Sequence, residues 1–182
     1  MSNEVIGRVV FGPSDSRPES FKMTAQGIRI GSQILPSPQQ YCLNVKIRRL
    51  HPAAVIPTYA TDGSGCFDIT ALEMVQQEGN TAVYTTGLAF EVPPGKVLLI
   101  YSRSGHGFNR GIRLANCVGV IDSDYRGEVA VKLTRDNDGI WFPAAGERIA
   151  QGLIQDAQQV RFVEVEELSE TVRGTGGFGS TG

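Results

Sequence analysis

The chain has 182 residues, of which 41% are hydrophobic and 20% charged, and its formal net charge is -2. A chain of this length can bury one good core, so one main domain is expected. The near-neutral charge gives no general attraction to nucleic acid, and no apolar run approaches the ~20 residues that a membrane span needs. With no apolar leader core near the start, we expect a cytoplasmic protein with no membrane contact and no direct nucleic-acid binding.

The cysteines and histidines limit the metal chemistry. Cys42, Cys66 and Cys117 are odd in number and far apart, which predicts neither a disulfide framework nor a zinc cluster. His51 and His106 are the only histidines, which excludes a multi-histidine site. Any metal should therefore be a hard cation held by oxygen atoms, and magnesium bound through phosphates fits that limit.

Residues 1–41 form a separate N-terminal extension. Their strand-like stretches, Val5 to Phe11 and Gly27 to Leu35, flank a polar segment and predict an added hairpin or extra surface strands. From residue 42 to 168, short apolar runs are punctuated by turns, and no segment sustains a helical i, i+3, i+4 pattern. This pattern predicts an all-β domain with little helix.

Within this β domain, period-2 alternation predicts three half-buried strands, and proline, glycine and asparagine predict two tight turns. The strands are Leu43 to Ile47, Val129 to Leu133 and Val163 to Val165, and the turns are Pro93 to Gly95 and Asn137 to Gly139. For Gly65 to Glu78, a short helical turn and an irregular strand both remain open.

Residues 169–182 are predicted to be a mobile arm. From Arg173 to Gly182 there are five glycines and one aromatic residue, too little apolar surface to fold alone. Gly174 to Gly179 matches the pattern G-x-G-x-x-G, but the dinucleotide fingerprint requires a following helix, for which the sequence leaves no room. The alternatives are a frayed terminus and a glycine-rich segment whose N–H groups face phosphates.

Two polar clusters interrupt the apolar sequence earlier in the chain. Ser102 to Gly107 combines arginine, hydroxyl and glycine N–H donors, as an oligophosphate site needs, although a polar turn has the same composition. Gly119 to Glu128 places Asp122 where a carboxylate at a strand end could act as a general base, although a charged hairpin tip would also fit. His106 near Ser104 has no evident orienting acid, so a serine hydrolase is rejected.

In sequence order, five segments resemble the five motifs of the trimeric dUTPase family. They are Gly65 to Ala71, Ser102 to Gly107, Gly119 to Gly127, Gly146 to Gln151 and Arg173 to Gly182, within a match that runs from Leu43 to Gly182. The resemblance implies a jelly-roll-like β-clip barrel and a homotrimer with shared active sites. It also implies Mg2+-dependent hydrolysis of dUTP to dUMP and pyrophosphate, which limits uracil incorporation into DNA and supplies dUMP for thymidylate synthesis.

The resemblance also implies roles for single residues. Asp122 would activate the water that attacks the α-phosphorus, and Asn116 would read uracil in a hairpin from Leu114 to Tyr125. Tyr125 would pack on the deoxyribose, where a 2'-hydroxyl would clash. Magnesium would bridge the phosphates, with Asp68 in at most a water-mediated or structural role. The substrate-binding set is Arg103, Ser104, Gly105, Asn116, Gly119, Tyr125, Gln151, Arg173, Phe178, Gly179, Ser180 and Thr181, with Phe178 stacked on the base.

Three positions depart from the family pattern. Cys66 and Phe67 stand where a glycine and a smaller aliphatic residue are usual, and Ser102 stands where proline is usual. None of these changes removes a catalytic group, but the geometry near both motifs is expected to differ slightly.

Two alternative functions remain open. A dCTP deaminase would need an additional carboxylate, and its aligned position holds Lys132, which cannot serve as that base. A dUTP-gated binding module would use the closed arm, and residues 1–41, to engage a protein partner. This second alternative does not exclude catalysis.

Overall fold

A computed structural model describes residues 6–9, 19–24, 27–30, 33–35, 43–137, 139 and 141–180. The chain divides into two compact units, Met1–Lys46 and Ile47–Gly182. The boundary that the sequence predicted, after residue 41, stays a prediction. Within the described part of the chain, no helix is long and apolar enough to cross a membrane.

The first unit contains a four-stranded antiparallel sheet. Its strands are β1 Ile6–Val9, β2 Glu19–Thr24, β3 Gly27–Ile30 and β4 Gln33–Leu35. Each strand pairs with its neighbour in the sequence. The sequence pattern indicated strands at β1, β3 and β4 but read β2 as part of a polar segment.

The remaining elements form three sheets and one short helix. They are β5 Lys46–Arg49, β6 Phe67–Thr70, β7 Glu73–Glu78, β8 Thr81–Thr85, β9 Leu88–Glu91, β10 Lys96–Tyr101, α1 Ser104–Arg110, β11 Ile112–Leu114, β12 Gly119–Ile121, β13 Ala130–Arg135 and β14 Arg148–Asp156. The strand orders are β12-β10-β14-β6, β11-β13-β8-β7 and β5-β9. The predicted all-β, jelly-roll-like class is confirmed.

Both four-stranded sheets of the second unit contribute to its core. Ile69, Leu98 and Ile149 of one sheet are at most 1% exposed, as are Tyr84 and Leu133 of the other. Alternation along the strands places these side chains inward, so burial of apolar surface fixes the register of each strand. The polar segments therefore begin at the ends of strands that the core holds in place.

Several local predictions are confirmed. At the Pro93 turn, the Lys96 N–H donates to the Pro93 carbonyl at 3.1 Å. Strand β13 buries Val131 and Leu133 on either side of exposed Lys132. The irregular-strand alternative for residues 65–78 is correct, because β6 and β7 lie there and the β7 register shifts after Met74.

Other predictions are wrong. The strand expected from Leu43 begins only at Lys46, and the segment containing Val163 and Val165 forms no strand, with those side chains 73% and 55% exposed. Apolar alternation is present there, but no neighbouring strand in the described part of the chain pairs with it. Helix α1 was also missed, because a seven-residue helix without buried residues has no apolar period.

Candidate active site

A polar segment begins where β10 ends. Arg103 has an extended backbone, with φ -85° and ψ 132°, and α1 starts at the next residue. Ser104 and Gly105 are exposed in its first turn, and Gly111 closes the helix in the left-handed conformation at φ 62°. The predicted Arg103, Ser104 and Gly105 therefore lie together at one end of the half-buried strand β10.

Asp68 joins two arginines beside this segment. Its Oδ1 accepts a hydrogen bond from Arg103 Nε at 3.1 Å, and its Oδ2 accepts one from Arg148 at 2.9 Å. The Asp68 side chain is only 18% exposed. Because one carboxylate offsets only one of the two guanidinium charges, the cluster stays net positive and can attract an anion.

Gln151 and Ser102 hold the start of the segment. The Gln151 amide donates to the Ser102 carbonyl at 2.9 Å, and the Leu114 N–H donates to the Ser102 hydroxyl at 2.9 Å. A cavity of ≈ 410 Å³ opens here, which we call the phosphate cavity after the role that the sequence resemblance implies. Its lining residues are Ser102, Arg103, Ser104, Gly107, Phe108 and Gln151.

Trp141 supports α1 from the side. The Arg110 guanidinium stacks 3.6 Å from the Trp141 ring centroid, and the His106 ring meets the same ring edge-on at 5.9 Å. Burial lowers the pKa of His106, the charges of Arg103 and Arg110 lower it further, and Glu147 opposes them. His106 therefore favours the neutral form in this cluster.

A second cavity, of ≈ 480 Å³, lies between β11 and β12, and we call it the base slot after the role that the sequence resemblance implies for Asn116. Its lining residues are Val83, Ile100, Leu114, Ala115, Asn116, Gly119, Val120, Ile121, Ala130, Val131 and Lys132. The predicted Asn116 and Gly119 therefore share one cavity. At Gly119 a Cβ would lie 3.1 Å from the Ile100 Cβ, so glycine permits this close approach of strands. Lys132, the residue at the aligned deaminase position, also faces this slot.

The predicted hairpin from Leu114 to Tyr125 is wrong. Leu114 pairs with Leu133, whereas Gly119 pairs with Ile100, so β11 and β12 belong to different sheets. Each strand finds its partner far away in the sequence, which local turn chemistry does not predict. The connection between them spans two sheets and leaves the slot open.

Asp122 and Tyr125 follow β12. Asp122 is exposed, and its carbonyl accepts a hydrogen bond from the Tyr125 N–H at 3.2 Å. The Tyr125 hydroxyl donates to the Glu128 carbonyl at 3.0 Å, across Gly127, where a Cβ would meet that hydroxyl at 2.3 Å. Glycine at position 127 therefore lets the half-exposed ring fold back and fixes its orientation.

Asp122 and Arg103 do not meet within one chain. Ile121 pairs with Leu98, so Asp122 lies near the start of β10, whereas Arg103 follows the end of that strand. Asp122 thus lies opposite Val97, six residues before Arg103, and at ~3.3 Å per residue the two are separated by roughly 20 Å along the strand direction. Within one chain, the Asp122 carboxylate and the Arg103 guanidinium therefore lie near opposite ends of β10.

The C-terminal arm lies on the surface with neither helix nor strand from residue 157 to 180. The Arg173 guanidinium donates to the Gly176 carbonyl at 2.8 Å, and Gly179 and Ser180 are exposed. Phe178 is fully exposed. Thr181 lies outside the described residues, and the predicted mobility of the arm stays a prediction.

Sequence reasoning missed the contributions of Arg148 and Trp141. Arg148 lies inside the fourth motif, and its charge was a usable signal. Trp141 lies in a connection without a motif, and only the fold brings it to α1. In the described part of the chain, no cluster of three or more histidine, cysteine or acidic side chains could hold a metal ion.

Known proteins resemble this arrangement. A protein-family model described as dUTPase matches residues 53–182. The deoxyuridine 5'-triphosphate nucleotidohydrolase of Helicobacter pylori is 40% identical over 141 residues, which are 77% of this chain and 97% of that protein. A variant of the Staphylococcus bacteriophage 80alpha dUTPase, solved with dUpNHpp, is 26% identical with a TM-score of 0.67 and covers 76% of this chain and 98% of its own.

A more distant likeness supports the fold alone. A variant of the dUTPase from phage phi11 of S. aureus, described with a structural Mg(II) ion, is 22% identical with a TM-score of 0.60, covering 69% of this chain and 98% of its own. The family model spans most of the chain, and the bacterial relative matches it over nearly its full length. The chain therefore belongs to the dUTPase family and is a dUTP diphosphatase.

Proposed function

We propose that the chain splits dUTP into dUMP and pyrophosphate by attack of a water molecule, activated by Asp122, on the α-phosphorus. The observation that carries this mechanism is the exposed Asp122 carboxylate directly after the strand that borders the base slot. A carboxylate at the end of a paired strand has a fixed backbone and can hold a water in one place. Proton transfer from that water to Asp122 would accompany formation of the new P–O bond, while the bond from the α-phosphorus to the bridging oxygen breaks and pyrophosphate leaves.

The active site is assembled from different copies of the chain in a homotrimer. Asp122 lies far from Arg103 within one chain, so one copy would supply Asp122 with its base slot and another copy the phosphate cavity. The arm supports assembly because it carries exposed apolar side chains that a neighbouring copy could cover. These side chains are Val160, Phe162, Val163, Leu168, Val172 and Phe178.

The phosphates are bound by the residues of the phosphate cavity. Arg103, held by Asp68, supplies a fixed guanidinium, and the exposed Ser104 and Gly105 supply further donors. Gln151, which also lines this cavity, acts there chiefly by holding the Ser102 carbonyl.

The arm closes over the bound nucleotide. Arg173, Ser180 and Thr181 would contact the terminal phosphate, and Phe178, next to Gly179, would stack on the base. Closure excludes water and strengthens the polar contacts inside the site. Ordering costs roughly 1 to 2 kcal/mol per residue, so closure should require the nucleotide.

Magnesium would be held mainly by the substrate phosphates. The donor set of the chain fits this arrangement, because both Asp68 oxygens already accept hydrogen bonds from arginines, which favours the structural role of that carboxylate. When bound, the ion offsets phosphate charge and orients the α-phosphorus. The arginines around Asp68 would neutralise the rest of the triphosphate.

The base slot selects uracil and deoxyribose. Asn116 and the backbone around Gly119 offer fixed donors and acceptors, so cytosine would leave polar groups unpaired, at a cost that discriminates strongly. Tyr125, whose hydroxyl is held by the Glu128 carbonyl, presents its ring to the sugar. Lys132 lines the slot at the position where a dCTP deaminase would need a carboxylate base, and a lysine cannot serve as that base. This residue therefore argues against deaminase activity.

In the cell, this activity limits uracil incorporation into DNA and supplies dUMP for thymidylate synthesis. The cytoplasmic location inferred from the sequence stays a prediction, as does a protein partner bound through residues 1–41. Comparing the proteins captured by the full-length chain with those captured by a chain starting at Cys42 tests whether residues 1–41 bind a partner. Identical captured proteins would refute that role.

The test of the mechanism is Asp122→Asn, with Asp124→Asn as the matched control, since both carboxylates are exposed in the same turn. Asp122→Asn should lower kcat for dUTP about 100-fold or more and keep the affinity for a non-hydrolysable dUTP analogue. Asp124→Asn should stay within about twofold of wild type. Retained turnover in Asp122→Asn would refute the assigned base.

A second assay tests base and sugar selection. Turnover of dUTP, dCTP, dTTP and UTP is measured side by side with magnesium, and release of ammonia from dCTP is followed in parallel. Hydrolysis of dUTP alone is expected. Comparable cleavage of all four nucleotides would contradict the slot argument, and ammonia release would revive the deaminase alternative.

A further inference from the structure

Ser102 connects the two cavities. It lines the phosphate cavity, and its hydroxyl accepts a hydrogen bond from the N–H of Leu114, which lines the base slot, at 2.9 Å. Its carbonyl accepts the Gln151 amide at 2.9 Å. The hydroxyl and the carbonyl of Ser102 are therefore both held by hydrogen bonds where the two cavities meet.

The direction of the Leu114 N–H makes this bond important. In an antiparallel strand, successive N–H groups point to opposite sides. The neighbouring Ala115 N–H donates to the Lys132 carbonyl of β13, so the Leu114 N–H points away from the sheet. Strand β11 is the outer strand of its sheet, and Leu114 is only 2% exposed. Without the hydroxyl, a buried donor would lose its partner at the wall of the slot.

We propose that the Ser102 hydroxyl is a specificity-determining positioning group that holds the β11 wall of the base slot at the spacing that selects uracil. The inference rests on the proposed assignment of the slot. Leu114, Ala115 and Asn116 continue directly from the anchored N–H, so the bond sets the position of the residue that reads the base. Phosphate binding depends on Arg103 and Ser104, which the hydroxyl does not contact.

The hydrogen bond also gives a structural role to the serine at this position, which departs from the family pattern. The resembling family usually has proline there, which fixes φ but offers no hydroxyl. In this chain a hydrogen bond to the neighbouring strand restrains the same point. The restraint therefore depends on a single side-chain oxygen.

Three variants of the full-length enzyme test the proposal. Ser102→Ala removes the acceptor, whereas Ser102→Thr and Ser102→Val have nearly the same size and differ in the hydroxyl. The matched control is Ser64→Ala, because the Ser64 hydroxyl also accepts a backbone hydrogen bond, from Thr61 at 3.1 Å, but in an exposed turn. The readouts are kcat and KM for dUTP and dCTP, and inhibition by pyrophosphate.

Ser102→Ala and Ser102→Val should raise the KM for dUTP about tenfold and lower the dUTP to dCTP preference by a similar factor. Inhibition by pyrophosphate should stay within about twofold of wild type, and Ser102→Thr should keep the preference. Ser64→Ala should match wild type.

Different outcomes overturn different claims. An unchanged preference in Ser102→Val, in an enzyme whose wild type prefers dUTP, would overturn the role of the hydroxyl alone. Equal losses for nucleotide and pyrophosphate would do the same, since they indicate a general structural defect. A wild type without preference would overturn the slot assignment and this inference together.

Discussion

Asp68→Asn is expected to weaken catalysis by releasing Arg103. The carboxylate accepts one hydrogen bond from Arg103 and one from Arg148, at 3.1 and 2.9 Å. An asparagine keeps the shape, but it carries no charge and presents an N–H2 group to one of the two guanidinium donors. At least one charged hydrogen bond is therefore lost, and the other is weakened.

The expected magnitude follows from exposure. A hydrogen bond to a charged group contributes about 1.5 to 3 kcal/mol. The Arg103 and Asp68 side chains are 23% and 18% exposed, whereas Arg148 is 53% exposed, so solvent screens the second contact more strongly. We expect a loss of about 2 kcal/mol, which corresponds to a fall of about 30-fold in kcat/KM if it all appears in phosphate binding.

The assay compares kcat/KM for dUTP and the thermal midpoint in Asp68→Asn and Asp156→Asn. Asp156 is a matched control, because it pairs with Lys96 across β10 and β14 but is 83% exposed. That replacement should leave kcat/KM within about twofold. The reasoning is refuted if Asp68→Asn keeps full kcat/KM, or if both variants lose equally.

Three further predictions concern pH and packing. Burial and nearby arginines lower the pKa of His106 from 6.5. Its contribution to stability is therefore present above pH 6.5 and is lost as the pH falls from 6.5 towards the lowered pKa. In urea unfolding, His106→Asn should make the free energy of unfolding less dependent on pH in this range. Burial, and then Glu147, raise the pKa of Tyr84 to about 12, so this side chain should stay mostly neutral at pH ~11 in an ultraviolet titration. In Tyr84→Phe, the absorbance change that remains above pH ~11 in the wild type should be missing. Gly152→Ala places a Cβ 2.4 Å from the Phe67 ring, and should lower the free energy of unfolding by about 1 to 3 kcal/mol; an unchanged denaturation midpoint would contradict the packing.

Much of the site was predictable because its residues are close in sequence. Arg103 and Ser104 share one cavity, and Asn116 and Gly119 share the other, as short motifs with distinct donors suggest. The all-β class followed from alternation and turns for the same local reason. The separation of Asp122 from Arg103 was not predictable, because it depends on which strands pair.

The errors have a common physical origin. Val163 and Val165 alternate with charged residues, but alternation describes a strand only when another strand pairs with it. Leu114 and Gly119 flank a short turn, yet long-range pairing takes them into different sheets. Helix α1 depends on Trp141, a residue far along the chain. In each case the deciding contact is non-local.

The contact between Trp141 and Arg110 gives the enzyme an internal optical reporter. Trp141 is the single tryptophan of the chain, and its ring lies 3.6 Å from a guanidinium on the helix that begins next to Arg103. Indole emission responds to nearby charge, so a ligand that shifts this helix changes the fluorescence of the unlabelled protein. If nucleotide binding moves α1, occupancy should therefore be measurable in real time from the intrinsic emission of Trp141.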